Sequence, residues 1–279
     1  MNENGSPRPY TIPRRTFLWL VATSLLAACC PSPQPGAGDQ PATRESGVAS
    51  TAAPPSPAQT STPAEAPSPE LPAILGRLHW LGHASFRLDG PPTIYFDPRG
   101  LGDDPPPAGI ILISHDHDDH FSISDLKAIG GPETVIITIS SVATRLEEAG
   151  VTYHEVQAVR PGERMKVGDV EIETVPAYNV DKSYHPKEAG YLGFIVTLQG
   201  ERLYFAGDTD RISEMSSIEC DVALLPIGGM YTMDVEEAAQ AAADIGPRVA
   251  VPMHERNADP NVFRDLCDCP VVVMEIEGS

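Results

Sequence analysis

Three imidazoles and three carboxylates fill six consecutive positions, His115-Asp116-His117-Asp118-Asp119-His120, directly after the apolar run 110–113 and Ser114. A solvated charge run does not need three histidines so close together, so a buried strand is expected to end in a loop that gathers these groups on purpose. His115 and His117, two apart in extended chain, can face one way. Asp119 and His120, turning into a following helix, can face another. Such a loop can bring two divalent cations to within a few ångströms of each other.

The rest of the chain supplies short β-rich runs and short helical patterns in alternation. Leu78, Trp80, Gly82, Ala84, Phe86 and Leu88 alternate with His79, Leu81, His83, Ser85 and Arg87, which predicts one period-two strand ending at Asp89-Gly90-Pro91-Pro92. Further strands are expected over 93–96, 110–113, 134–138, 164–167, 170–175, 191–198, 202–206, 222–225, 249–251 and 271–276. Asp234 with Glu237 forms a capping box that opens a helix over 235–245, and Gly246-Pro247 closes it. Asp259-Pro260 opens another, to about residue 267, and 122–129 and 141–149 complete the set. Hairpins early and strand–helix alternation later predict a layered α/β protein with helices outside its sheets.

Composition limits which part of the 279-residue chain can fold this way. Residues 1–28 hold three Arg and a short apolar run, and 31–72 hold eleven Pro and no aromatic residue. Residues 77–279 are the segment able to bury a core. They carry 15 Lys+Arg against 34 Asp+Glu, so 19 of the 20 net negative charges sit there. That balance argues against nucleic acid as a partner, because a phosphate backbone needs a basic footprint. A small anionic substrate stays open, since bound metal reverses the local potential.

The apolar run before Cys29 is shorter than the ~20 residues a membrane-spanning helix needs, and it reads as a signal-peptide core. Arg14-Arg15-Thr16-Phe17-Leu18 resembles a twin-arginine export signal, and Leu26-Ala27-Ala28-Cys29 resembles a lipobox. The resemblance implies a signal peptide over 1–28, lipidation of Cys29 and a membrane anchor on the outer face of the cytoplasmic membrane. Residues 29–76 then form a disordered Pro-rich tether with too little apolar surface to offset its ordering entropy, and 77–279 form the working domain. Cys220 is expected to be buried, and Cys267 and Cys269 to be structural or incidental; no zinc-finger spacing joins them.

The spacing His-x-His-x-Asp-His resembles the metallo-β-lactamase superfamily of metal-dependent hydrolases. Leu81-Gly82-His83-Ala84-Ser85-Phe86, Asp97-Pro98, Gly207-Asp208-Thr209, Pro226-Ile227-Gly228-Gly229 and Pro252-Met253-His254 extend the resemblance through most of 77–279. The most similar-looking branch holds ascorbate 6-phosphate lactonase-like proteins and, more distantly, the phospholipase D that cleaves N-acylphosphatidylethanolamine. The resemblance implies an αββα sandwich with a binuclear site at one edge of its sheets. His115 and His117 would hold the first metal, Asp119 and His120 the second, Asp208 would bridge both, and His254 would complete the second. A third imidazole for the first metal belongs in the loop before Gly207. There Tyr178 and Asn179 stand near the usual position and His185 is the nearby imidazole, which leaves Asn179 and His185 as alternatives. His83, Asp97, Tyr178 and Tyr231 are expected to support the ligands or touch substrate.

Zn²⁺ suits mixed imidazole and carboxylate ligands, and Mn²⁺ or Fe²⁺ is also compatible because no thiolate is among them. The implied chemistry is attack by a metal-bound hydroxide, oriented by Asp119 and Asp208, on a small-molecule ester, lactone, amide or phosphodiester. Two other classes compete. A tethered solute-binding lipoprotein has no use for the clustered His/Asp loop. A nuclease of the same superfamily would need a large inserted domain, yet His254 follows Asp208 by only 46 positions. Proteins of this kind often associate, which leaves a homo-oligomer open.

Overall fold

Ile110, Ile111 and Leu112 are fully buried because the strand they form, β4 (Ile110–Leu112), runs between two parallel neighbours in the middle of a sheet covered on both faces. The computed structural model describes residues 70–278 apart from 152 and 154. Before β4 come β1 (Leu78–Gly82), β2 (Ser85–Leu88) and β3 (Ile94–Phe96), and after it β5 (Val135–Thr138) and β6 (Glu155–Ala158). These six form one sheet in the order of the chain, antiparallel from β1 to β3 and parallel from β3 to β6. The second sheet comprises β7 (Arg164–Val167), β8 (Val170–Pro176), β9 (Leu192–Leu198), β10 (Glu201–Phe205), β11 (Val222–Pro226) and β12 (Val249–Met253). It is antiparallel from β7 to β10 and parallel from β10 to β12.

The sheets meet through aromatic side chains. Phe205 on β10 lies with its ring centroid 5.3 Å from that of Phe96 on β3 and 6.4 Å from that of Phe86 on β2. Among the described residues there are four α-helices: α1 (Ile123–Ile129), α2 (Ser140–Glu148), α3 (Val235–Ile245) and α4 (Pro260–Leu266). α2 packs beside β6, and α3 packs on β11 and on α4. Ala238, Ala239, Ala241 and Ala242 give α3 a small-residue face that can approach the sheet closely. The Asp234 carboxylate accepts from the Glu237 amide at 2.8 Å and caps the helix. The result is the layered α/β protein that the sequence pattern predicts, in the αββα arrangement that the resemblance implies.

Three elements differ from expectation. The single strand over 78–88 is a hairpin, because Gly82 (φ +105°) and His83 (φ +53°) turn the chain between β1 and β2. β6 was not foreseen: Glu155–Ala158 is a four-residue edge strand whose alternation is too short to announce it, and its two apolar residues, Val156 and Ala158, are exposed. Residues 271–276 are no strand. Val271 touches the edge of the second sheet by one bridge to Ala250, and Ile276 touches the edge of the first by one bridge to Trp80. The segment thus laces two sheet edges instead of extending either.

The core also begins before residue 77. Ile74 is fully buried in a 3-10 turn, Ala73–Arg77, whose Ala73 and Ile74 amides donate to the Glu201 carboxylate at 2.8 and 2.6 Å. The tether, placed over 29–76, therefore gives way to folded chain a few residues earlier. The signal peptide over 1–28, Cys29 and the tether up to residue 69 lie outside the described residues. Among the described residues no helix is long and apolar enough to cross a membrane. Cys220 is half-buried rather than buried, as are Cys267 and Cys269, and all three are free thiols.

Candidate metal centre

β1, β3, β4, β8, β10, β11 and β12 all run so that their C-terminal ends open on the same side of their sheets. The loops that leave those ends carry the polar residues, as the topology of open α/β sheets favours. His83 follows β1, Asp97 follows β3, residues 114–120 follow β4, residues 177–185 follow β8, Asp208 follows β10 and His254 follows β12. Close packing of these loops depends on Gly207 (φ +65°), where a Cβ would stand 2.7 Å from the Leu192 carbonyl oxygen. The Leu192 amide in turn donates to the Ser114 carbonyl at 3.1 Å, which joins the loop after β4 to the second sheet.

His83, Asp97 and His254 have φ values of +53°, +42° and +49°. Left-handed backbone at non-glycine residues costs of order 1–3 kcal/mol each and is tolerated where surrounding structure fixes it. Here the His254 amide donates to the His83 carbonyl at 3.0 Å, and their rings lie 3.8 Å apart between centroids. Asp97 has its amide on the Leu112 carbonyl at 2.9 Å.

The side chains converge in two groups that share Asp208. His115, His117 and His185 offer nitrogen atoms within 4.8 Å of one another; so, as a second group, do His83, Asp119, His120 and His254 with a nitrogen or oxygen each. Asp208, 3 % exposed, stands between them. Its Oδ1 lies 3.3 Å from His120 Nε2, while its Oδ2 lies 3.2 Å from His254 Nε2 and 3.5 Å from His185 Nε2. Asp119 Oδ2 lies 3.2 Å from His83 Nε2.

The residues fit divalent metal by a test internal to the fold. His115 Nε2, His120 Nε2, His254 Nε2 and Asp208 Oδ1 are buried without a hydrogen-bond partner. Buried polar atoms are otherwise almost always paired, and these four are nitrogen and oxygen donors of the kind zinc takes. Burial, reinforced by charge on His120, pushes the His115 imidazole well below its ordinary pKa, and burial lowers His185 too. Asp119 is held below the usual carboxylate range by its hydrogen bond with His83, against the opposing effect of burial. Burial would raise Asp208, but His120 and His254 outweigh it and hold the carboxyl well below its ordinary value. Burial would lower His120, but Asp208 and Asp97 raise it well above. Ionised carboxylates and neutral imidazoles are ready ligands; at His120 a cation would displace a proton.

A supporting network lies behind the ligand atoms. Asp97 accepts from the Ser114 amide at 2.7 Å and hydroxyl at 2.6 Å, and its Oδ2 lies 2.7 Å from His120 Nδ1. Ser114 Oγ is also 2.8 Å from His115 Nδ1, so one buried carboxylate orients an imidazole of each group. Asn179 does not reach toward the cluster as a ligand. Its amide nitrogen donates to Asp210 and to the Tyr231 carbonyl, both at 2.9 Å, and its oxygen accepts from the His185 amide at 3.0 Å. His185 Nε2 lies 3.3 Å from His117 Nδ1.

A cavity of about 300 Å³ opens over the cluster, lined by His117, Asp119, Tyr184, His185, Asp208, Tyr231 and Arg256. Tyr178, expected at the substrate, is not in this lining: its hydroxyl donates to Glu214 at 3.0 Å and its ring carries the Lys187 ammonium 4.3 Å away. A larger groove of about 610 Å³ elsewhere holds no imidazole, and Glu173 pairs there with Arg164 at 2.9 Å and Arg202 at 3.1 Å. Size alone does not make it the site. Ser114, Tyr184, Asp210 and Arg256 were missed by sequence reasoning. Ser114 directly precedes His115, and Asp210 and Arg256 each stand two residues beyond a candidate ligand, which was the available signal.

Comparison with known proteins agrees with this geometry. Residues 77–254 match the family model described as a beta-lactamase superfamily domain. The chain is 33% identical over 207 residues to a UPF0173 metal-dependent hydrolase of Archaeoglobus fulgidus, covering 68% of this chain and 87% of that protein. Among solved structures, it is similar to a candidate metal-dependent hydrolase of Parabacteroides distasonis at 30% identity and TM-score 0.66, covering 72% of this chain and 93% of that one. It also resembles Igni18, a metallo hydrolase of Ignicoccus hospitalis, at 28% identity and TM-score 0.59, covering 71% and 94%.

Proposed function

The chain belongs to the beta-lactamase superfamily of metal-dependent hydrolases, and on that premise we propose that it is a binuclear hydrolase of a small-molecule ester, lactone, amide or phosphodiester. The observation that carries this reading is the position of Asp208, with one oxygen toward His120 and the other toward His254 and His185. A carboxylate so placed serves two ligand sets at once. His115, His117 and His185 would hold one ion, and Asp119, His120 and His254 the other, with His83 held against Asp119.

Bound divalent ions would acidify a water and neutralise charge that develops on the oxygen of the bond under attack. The chain's own residues do the rest. Asp119, part of the cavity lining, and Asp208 beneath it orient the attacking water by accepting its hydrogens. Asp97 and Ser114 keep the imidazole Nε2 atoms of His120 and His115 turned inward. Tyr184 and Tyr231 wall the cavity and exclude bulk water from one side.

Zinc is the favoured metal, with manganese and iron as alternatives, on the strength of an all-imidazole and carboxylate donor set. The ascorbate 6-phosphate lactonase-like and N-acylphosphatidylethanolamine phospholipase D-like branch is the favoured placement, supported by the segments Leu81-Gly82-His83-Ala84-Ser85-Phe86, Asp97-Pro98, Gly207-Asp208-Thr209, Pro226-Ile227-Gly228-Gly229 and Pro252-Met253-His254 taken together. Dialysis against a chelator, followed by assay on lactones, phosphodiesters, phospholipids and nucleic acid, tests the whole reading. Activity on one of the first three is expected to vanish with the metal and to return with zinc. Chelator-resistant hydrolysis, or turnover of nucleic acid alone, would refute it.

The same reading places the enzyme outside the cytoplasmic membrane, tethered through Cys29, with a small molecule and not nucleic acid as its partner. The support is the Arg14-Arg15 and Leu26-Ala27-Ala28-Cys29 pattern and the acidic balance of the domain. Palmitate label is expected on the wild type and absent from Cys29→Ala; undiminished label on the variant would remove the anchor. Association into a homo-oligomer remains part of the proposal, on likeness to proteins that associate.

A further inference from the structure

Tyr191 lies against every imidazole of the first group. Its ring centroid is 5.0 Å from that of His115, 5.8 Å from that of His117 and 5.9 Å from that of His185. It meets His117 and His185 edge to face, at 75° and 65°, and is tilted by 38° from His115. Among the described residues it has no ring contact with His83, His120 or His254, the imidazoles of the second group.

The backbone fixes where this ring stands. Tyr191 directly precedes β9, and its carbonyl accepts at 3.1 Å from the amide of Ala177, which opens the loop that carries His185. The next residue, Leu192, donates its amide to Ser114, the neighbour of His115. One dipeptide therefore ties together the two loops that supply the first group. The phenol is committed as well. It donates to Asp116 Oδ1 at 3.3 Å, while the Asp116 carbonyl accepts from Arg145 on α2 at 2.5 Å. Asp116 stands between His115 and His117, so these two attachments hold the stretch of chain from which both imidazoles project.

The need for such a support is clearest at His117. A ligand imidazole is ordinarily oriented by a carboxylate or carbonyl behind it. His115 has Ser114 Oγ at 2.8 Å, and His185 has the Asn179 oxygen and the Tyr231 carbonyl, both at 3.1 Å. Among the described residues the ring of His117 has no such partner. Its one hydrogen-bonding neighbour is His185 Nε2, itself a candidate ligand atom.

We infer that Tyr191 is the positioning residue of the first metal: its ring and its bond to Asp116 hold His115, His117 and His185 ready to bind, and it acts on that ion and not on the second. The inference rests on the two-ion reading and deepens it. Imidazoles held in place beforehand lose less freedom when an ion arrives. An imidazole bound to a cation also takes on part of its charge, which an aromatic wall accommodates better than an aliphatic one.

The test uses the full-length protein, freed of metal and titrated with zinc against a chromophoric chelator. Two binding steps are expected in the wild type. The step missing from His117→Ala reports the first ion, and the step missing from His254→Ala reports the second. Tyr191→Leu is expected to weaken the first by about 10- to 100-fold and to leave the second within about threefold. Tyr191→Phe keeps the ring and should lose about fivefold, the worth of one hydrogen bond. Asp116→Ala removes the same bond from its other end and should lose about as much, with no further loss in the double variant. Cadmium-113 gives a spectroscopic readout: the resonance missing from His117→Ala should move in Tyr191→Phe while the other stays. General loosening of the fold would weaken both steps and disturb both resonances. That result, or unchanged zinc affinity in Tyr191→Leu, overturns the inference, and losses that add in the double variant overturn the hydroxyl's share of it. A wild type with a single step, missing from His117→Ala and weakened in Tyr191→Leu, would sink the two-ion reading and leave the role of Tyr191 standing. Two steps, both indifferent to Tyr191→Leu, would do the reverse.

Discussion

Asp208→Asn is expected to lower hydrolysis by at least about 10³-fold, and to reduce bound metal well below the wild-type content, while the fold survives. The substitution keeps the volume of the side chain and removes its charge. Asp208 lies within 3.5 Å of imidazoles of both groups, His120 and His254 in one and His185 in the other, so its charge serves both. In the amide, an NH₂ group takes the place of one oxygen and points donor hydrogens at the imidazole it faces, where a ligand oxygen is needed. Folding should tolerate the change. Oδ1 makes no hydrogen bond, and a neutral amide costs less to bury than a carboxylate. The Gly207 turn that sets the backbone is untouched. Elemental analysis, circular dichroism and the rate on whichever substrate emerges from the screen form the measurement. A variant with full metal and full rate would show that Asp208 bridges nothing.

What could be read in advance depended on the range of the interactions involved. α3 was legible to the residue because its start and stop are local: Asp234 caps the Glu237 amide, and Gly246 takes the left-handed conformation at its end. β4 was legible because a buried parallel strand must be apolar throughout. The β1–β2 hairpin was not, since alternation in side-chain character continues across Gly82 and His83 while the backbone reverses. β6 offers only Val156 and Ala158, both exposed, so no buried face marks it. Its place beside β5 is set by the α2 connection and by backbone hydrogen bonds that any sequence can make.

The site divides in the same way. His115, His117, Asp119 and His120 are adjacent in sequence and announce themselves. Asp208 and His254 were found through resemblance, and only the fold shows how near they come to His120. The ambiguity between Asn179 and His185 was a matter of side-chain direction. Both belong to the loop that Asp210 holds, Asn179 faces Asp210 and Tyr231, and His185 faces His117. Arg256, which lines the cavity, had no signal beyond its spacing from His254.

Replacing Asp97 separates stability from metal binding, and the two available variants are expected to diverge. Asp97→Ala should cost about 3–5 kcal/mol in urea unfolding, the range for breaking a buried charged pair. The side chain is fully buried, and it accepts from the Ser114 amide and hydroxyl and meets His120 Nδ1. Alanine at φ +42° adds strain that aspartate tolerates better. Asp97→Asn keeps the shape, the left-handed preference and an acceptor for Ser114, so its loss of stability should be smaller. Its effect on metal should persist. His120 Nδ1 lies 2.7 Å from Asp97 Oδ2, and when that nitrogen donates to the carboxylate, Nε2, 3.3 Å from Asp208 Oδ1, is the nitrogen left to take a metal. An amide NH₂ in that place donates to Nδ1 instead, which moves the hydrogen to Nε2 and blocks it as a ligand. Metal affinity, read by competition with a chromophoric chelator, is expected to fall about 10- to 100-fold in Asp97→Asn. An Asp97→Asn protein that binds zinc as tightly as the wild type would show that this carboxylate packs the fold without aiming the imidazole.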